Sequence, residues 1–161
     1  MLRRIVRDLA NFPPVKTNTI FHVARSGCEY LIGRNGKYHR SETGRVFTTW
    51  PREKVYTVDM SEFDIEVKPI TTKTLDDREV HVGGVATFAV WQPRVLCFEV
   101  KEPLILAHNE LRQQLNLAMM NEDSKTIESR RDKIEFRVFR GYNLNTNYDL
   151  RITAFRMGLI K

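Results

Sequence analysis

The side chains of this 161-residue sequence best suited to chemistry are His22, His39, His81 and His108, the thiols Cys28 and Cys97, and the adjacent acids Asp76-Asp77. Zinc would need such groups at ligand spacing, for instance two histidines one helical turn apart or a CxxC pair, and none falls so. His81 alternates onto the face opposite Val80 and Val82, and His108 borders an apolar helical stripe, so both read as surface or satisfied histidines. Asp76-Asp77 reads as turn chemistry, because adjacent carboxylates at a hairpin tip diverge and bond locally. Gly33-x-x-Gly36-Lys37 is too short for a phosphate loop, carries Tyr38 where a Ser or Thr is needed, and runs from strand to strand. Ser26 and Ser41 lie in no GxSxG elbow. No catalytic residue, metal ligand or cofactor is therefore assigned, and the expected class is non-enzymatic.

A binding role is the remaining class. Twenty-six basic residues against 20 acidic ones leave a net charge of +6, with the acids interspersed almost throughout. This reads as a solvated, mildly basic surface rather than a dedicated polyanion site. Arg137-Val138-Phe139-Arg140-Gly141-Tyr142 interleaves arginine with aromatics, as single-strand binders do, yet it finishes a helix instead of lying on a central strand. Its arginines read as complementing the helix end, and nucleic acid is not the expected partner. Two isolated cysteines imply no disulfide framework and a reducing, cytoplasmic setting. The start lacks the continuous apolar core of a secretory signal, and no run approaches the length of a spanning helix.

The elements that must position these residues form two parts. Residues 1–19 are an amphipathic basic segment with a Pro13-Pro14 stop: Leu2, Ile5, Val6, Leu9 and Phe12 form an apolar helical stripe beside Arg3, Arg4 and Arg7. These eight residues are the expected contact with either an anionic membrane surface or a neighbouring subunit. Residues 20–161 form the domain. Strands are expected at 20–24 and, as its neighbour, 29–32, with Gly33-Arg34-Asn35-Gly36 as a tight reversal. Further strands follow at 46–50, 55–58, 63–67 and 70–74, then a long one from Glu79 to Trp91 across an Asp76-Asp77 tip. In the last, Gly83-Gly84 permits a bulge. Pro103 opens a helix with Leu104, Leu111, Leu115 and Met119 as its stripe. Ser124 is expected to cap a second helix carrying Ile127, Ile134, Val138 and Phe139, with Gly141 ending it, before a returning strand at Leu150–Phe155. The fold class is α+β: a long twisted antiparallel β-meander, two helices and a returning strand.

In order and spacing the chain resembles the SPFH family, that of stomatin, prohibitin, flotillin and HflK/HflC. Gly27, then Gly36-Lys37-Tyr38, then Gly44-Arg45-Val46-Phe47-Thr48-Thr49-Trp50-Pro51 look like its opening pattern, and Thr74 to Val82 is similar to its turn into a long valine-rich strand. Leu111-Arg112, Gly141 and the strand from Leu150 fall in the family's order, so the likeness covers residues 20–157. The resemblance implies a membrane-associated scaffold whose copies assemble side by side, hence a homo-oligomer peripheral to a membrane. Its alternative is a membrane-free cage subunit, since the same domain type is similar to the shoulder of the major vault protein. Family members also carry an N-terminal anchor and a long coiled coil. With residues 1–12 in front and Lys161 at the end, the expectation is a minimal member or a fragment.

Overall fold

A computed structural model describes residues 4–5, 15–17, 21–42, 46–145 and 149–160. In chain order the strands are β1 (Arg4–Ile5), β2 (Val15–Thr17), β3 (Phe21–Val23), β4 (Cys28–Arg34), β5 (Lys37–Glu42), β6 (Val46–Thr48), β7 (Glu53–Asp59), β8 (Phe63–Lys73), β9 (Glu79–Val90) and β10 (Leu150–Ile160). The helices are α1 (Pro93–Phe98), α2 (Pro103–Met120) and α3 (Arg131–Asn145), the last preceded by a 3-10 turn at Glu128–Arg130. The strands form a sheet ordered β1-β8-β9-β10, a second ordered β2-β7-β4-β5, and a ribbon of β3 and β6. This is the expected α+β meander with helices and a returning strand.

The first sheet and the helix pair α2–α3 make the core. Ile65, Val82, Ala86, Phe88, Leu150, Ile152 and Met157 from the sheet share one cluster with Leu104, Leu111, Leu115, Met119, Ile134, Val138 and Tyr142 from the helices. Phe88 meets Tyr142 edge to face at 5.5 Å between centroids. The α2 stripe falls as its spacing dictates, with Leu104, Leu111, Leu115 and Met119 all buried. Leu31 and Val58 bring one face of the second sheet into this core, while Tyr30, Ile32 and Val55 on its other face cluster with Phe47. Covered on both faces, β4 carries a continuous apolar run instead of an alternation.

Glycines serve two distinct purposes. Asn35 and Gly36, at φ of 53° and 77°, join β4 to β5 by the two-residue turn that suits a twisted hairpin. Gly33, by contrast, makes room: a Cβ there would lie 2.8 Å from the Phe98 ring and 2.9 Å from that of Tyr56. Phe98 of α1 thereby docks edge-on to Tyr56 and Tyr38. The same device recurs in β9, where a Cβ on Gly83 would stand 2.8 Å from the Val67 carbonyl and one on Gly84 2.5 Å from that of Arg156.

Several expectations are corrected. Strand β3 does not neighbour β4; it pairs with β6, and β4 runs between β7 and β5. The reason is the second apolar face of β4, which needs the ribbon's Phe47 as cover. The segments at 63–67 and 70–74 are one strand, β8, with a register shift between Val67 and Ile70 that accommodates Pro69. Helix α1, built from Pro93 onward, is an addition to the two helices expected. Ser124 caps no helix: its N–H and hydroxyl donate to the Asp76 carboxylate at 2.9 and 2.7 Å. Gly141 lies inside α3, where a side chain would strike Gln114 of α2, so it sets helix approach rather than helix end. Of the expected front helix, Arg4 and Ile5 instead run as β1, parallel to β8 opposite Phe63 and Asp64. The other residues of that segment's stripe, and the domain boundary at 19/20, lie outside the described residues.

The hairpin tip between β8 and β9 is clasped to the α2–α3 connection. Asp76 also accepts from the Thr74 hydroxyl at 2.6 Å, and the Leu75 N–H donates to the Glu122 carbonyl at 3.0 Å. The Glu122 carboxylate, with no exposed surface, takes Arg130 at 3.1 Å and Arg137 at 2.5 Å. Hydrogen bonds from Ser124 and Thr74 hold the Asp76 carboxyl well below the usual carboxylate range. His108 is also lowered, by burial first and then by Arg112 and Lys68.

Gly84→Ala is expected to cost about 1–3 kcal/mol by overpacking, read from chemical denaturation. Acid acts through Asp76 and His108 in one direction, because both are lowered in the folded state. The His108 contribution is present above about pH 6.5 and fades as pH falls through its folded value; that of Asp76 is present above about pH 4 and is lost below it. Thermal melts across this range should show the midpoint falling with pH, and Asp76→Asn should flatten the lower part of the fall.

Candidate interaction surface

The β3–β6 ribbon alternates strictly. His22 and Phe47 point inward, buried and stacked with ring centroids 4.8 Å apart, and Phe47 meets Tyr30 edge-on at 5.2 Å. The period of two then turns Phe21, Val23, Val46 and Thr48 outward as cross-strand pairs, Phe21 opposite Thr48 and Val23 opposite Val46. Phe21 is 73% exposed, Val23 74%, Val46 64% and Trp50, the next outward position, 71%. Three valine or phenylalanine side chains and a tryptophan thus form an apolar face on a ribbon whose core side is already filled.

A buried carboxylate shapes the end of this face. Glu53, its side chain only 2% exposed, accepts from both terminal nitrogens of Arg40 at 3.1 and 3.2 Å and from the Trp50 N–H at 2.8 Å. Its own N–H returns to the Trp50 carbonyl at 3.0 Å, closing the Trp50-Pro51 corner. Arg40 also donates to the Thr48 carbonyl at 3.1 Å and to Glu42 at 2.8 Å, tying β5 to β6. Beside the corner is an open hollow of about 660 Å³ lined by residues 48–54. Within 21–25 and 46–54 the exposed charges are Arg25, Arg52 and Lys54, while the acid, Glu53, is buried and paired. The rim of the apolar face is therefore basic.

Chemistry of other kinds has no assembled site among the described residues. No group of three or more His, Cys, Asp or Glu side chains could hold a metal ion. His22 faces Thr49, His39 faces Glu53, His81 faces Thr71, and His108 is buried on α2. Asp76 and Asp77 diverge as expected, the first to Ser124 and the second to Lys73. Burial pushes the Cys97 thiol up to about 12, with Glu29 adding to it, so it stays protonated at neutral pH. In the Arg137–Tyr142 stretch, Tyr142 and Val138 are fully buried, Phe139 is partly buried and Arg137 pairs with Glu122. Of the front-segment contact residues, Arg4 and Ile5 are the strand β1; Leu2, Arg3, Val6, Arg7, Leu9 and Phe12 lie outside the described residues.

The order of strands, glycine corner and helices has a counterpart among known families. Residues 22–143 match the model of the SPFH domain / Band 7 family. The chain belongs to that family. The matched residues include Val23, Val46 and Trp50 of the ribbon face, the corner, the long hairpin, α2 and most of α3, while Phe21 lies just before them. SPFH domains are in general non-enzymatic and typically membrane-associated. No helix among the described residues is long and apolar enough to cross a membrane. No curated protein matches the chain.

The glycine-punctuated strands and the Trp50-Pro51 corner do not by themselves identify a surface. The available signal was parity: Phe21/Val23 and Val46/Trp50 occupy alternate positions opposite His22 and Phe47. Glu53→Ala should cost about 1–3 kcal/mol, since it removes the acceptor of Arg40 and of the Trp50 N–H. Denaturation followed by tryptophan fluorescence checks this, with a shifted Trp50 environment expected before global unfolding.

Proposed function

We propose that this SPFH domain is a non-enzymatic, oligomeric scaffold that sits peripherally on a membrane and organises that surface or proteins bound to it. The observation that carries the reading is the exposed Phe21, Val23, Val46 and Trp50 face with its rim of Arg25, Arg52 and Lys54. Apolar and aromatic side chains beside basic ones suit the boundary between acyl chains and anionic headgroups. Insertion is partial, so the energy lies below the about 1.5–3 kcal/mol of each fully buried Val or Phe. One copy therefore binds weakly, and assembly of several copies on one surface supplies the avidity. The front segment, with Leu2, Arg3, Arg4, Ile5, Val6, Arg7, Leu9 and Phe12, contributes a second contact, to lipid or to a neighbouring subunit.

The alternative is a cage or particle subunit with no membrane role. It is favoured by the pairing of Arg4–Ile5 with β8, which draws part of the front segment onto the chain's own sheet. Flotation with vesicles containing phosphatidylserine, alongside neutral vesicles and a native mass, separates the two. The membrane reading expects flotation with anionic vesicles that is reduced by salt and lost in Phe21→Glu/Val46→Glu. Equal flotation of that variant removes the ribbon face, and a lipid-independent oligomer that never floats supports the cage.

A further inference from the structure

β10 is the outer strand of its sheet over 11 residues, paired with β9 on one side. A strand edge of that length is ordinarily a template for another chain. Here the outward backbone is engaged at two residues, Ile152 and Met157, by side chains of a helix. Asn143 of α3 matches Ile152 as a strand neighbour would: its amide nitrogen donates to the Ile152 carbonyl and its amide oxygen accepts from the Ile152 N–H, each at 3.0 Å. Five residues on, the Met157 N–H donates to Glu135 at 2.8 Å, and Arg131 donates to the Met157 carbonyl. Arg131 and Glu135 are joined at 3.1 Å, so one ion pair presents both a donor and an acceptor to a single residue of the edge.

The lengths agree. α3 rises about 18 Å from Arg131 to Asn143 at 1.5 Å per residue, and β10 advances about 17 Å from Ile152 to Met157. The helix thus lies along the strand edge, running opposite to it, with its two ends meeting the two engaged residues. Exposed Arg151 and Arg156 on β10 add like charges that disfavour pairing with a second copy of the same strand.

We infer that α3 fills the strand-addition site of this sheet with side chains, and so closes β10 to an extended segment of a second copy of the chain. A second copy is the strand donor at highest local concentration in any assembly of this protein. Self-association is thereby directed to other surfaces, whether or not a membrane is involved.

The test is Asn143→Ala/Glu135→Ala in the full chain, followed by amide hydrogen exchange at Ile152 and Met157 and by sedimentation velocity. At low concentration both amides should exchange about tenfold faster than in the wild type, as local opening is no longer needed. As concentration rises, larger species than those of the wild type should appear, and the same two amides should become protected again, the mark of an added strand. Glu135→Gln alone keeps an acceptor for the Met157 amide and should exchange there as the wild type does. If the double alanine variant does not fold, Asn143→Ala alone reads Ile152 and Glu135→Ala alone reads Met157. Wild-type exchange at both amides, or association in which they stay unprotected, overturns the inference.

Discussion

Gly83 and Gly84 of β9 are where the backbones of both neighbouring strands close in. On one side the Val67 carbonyl and Pro69 of β8 approach to where a Cβ would stand, and on the other the Arg156 carbonyl and the Phe155 ring of β10 do the same. Because β9 has no side chains there, β8 can carry its register shift between Val67 and Ile70 opposite the glycines while β10 stays paired to them, and the three strands form one sheet. The faces of Ile65, Phe88 and Ile152 then align under α2 and α3, and the core can close. A Cβ at Gly83 would press on β8 and one at Gly84 on β10, and the helices rest on those strands.

Upon this frame, three carboxylates, those of Glu122 and Glu53 buried and that of Asp76 at the surface, fix what burial of apolar area alone leaves loose. Hydrophobic contact is non-directional, so it can hold α2 and α3 on the sheet without determining where the hairpin tip or the Trp50-Pro51 corner goes. Glu122 and Asp76 determine the first, by gathering Arg130, Arg137, Ser124 and Thr74 where the tip meets the helix connection. Glu53 determines the second, by gathering Arg40 and the Trp50 N–H. The two buried charges, Glu122 and Glu53, are each offset by arginine partners and hydrogen bonds. The exposed ribbon face follows, since a rigid corner keeps Trp50 outward beside Phe21, Val23 and Val46.

Much of this was legible in the residues, for local reasons. The α2 stripe follows from a spacing of three and four, the 63–67 alternation from a period of two, and the Asn35-Gly36 reversal from tolerance of positive φ. Strand β5 was not legible, because Lys37–Glu42 carries almost no apolar pattern; it exists through the hairpin turn and its pairing to β4. Gly141 was misread, because glycine signals both helix ends and close helix approach, and only the presence of Gln114 opposite decides between them. The ribbon face was half legible: parity marks which side chains alternate but not which side the core takes.

The sequence by itself determined the α+β class, the order of the long strands and of the two major helices, the absence of any spaced catalytic or metal-binding motif, and the family, because these depend on periodicity, turn chemistry and motif order along one chain. Tertiary structure alone decided that β3 pairs with β6, that Ser124 serves Asp76, that α3 lines the edge of β10, and that four apolar side chains of the ribbon and corner face out. Those outcomes depend on which surfaces are already covered when the next element arrives. That is a property of the packed chain, since each apolar face and each backbone group can be satisfied by several partners until geometry removes all but one.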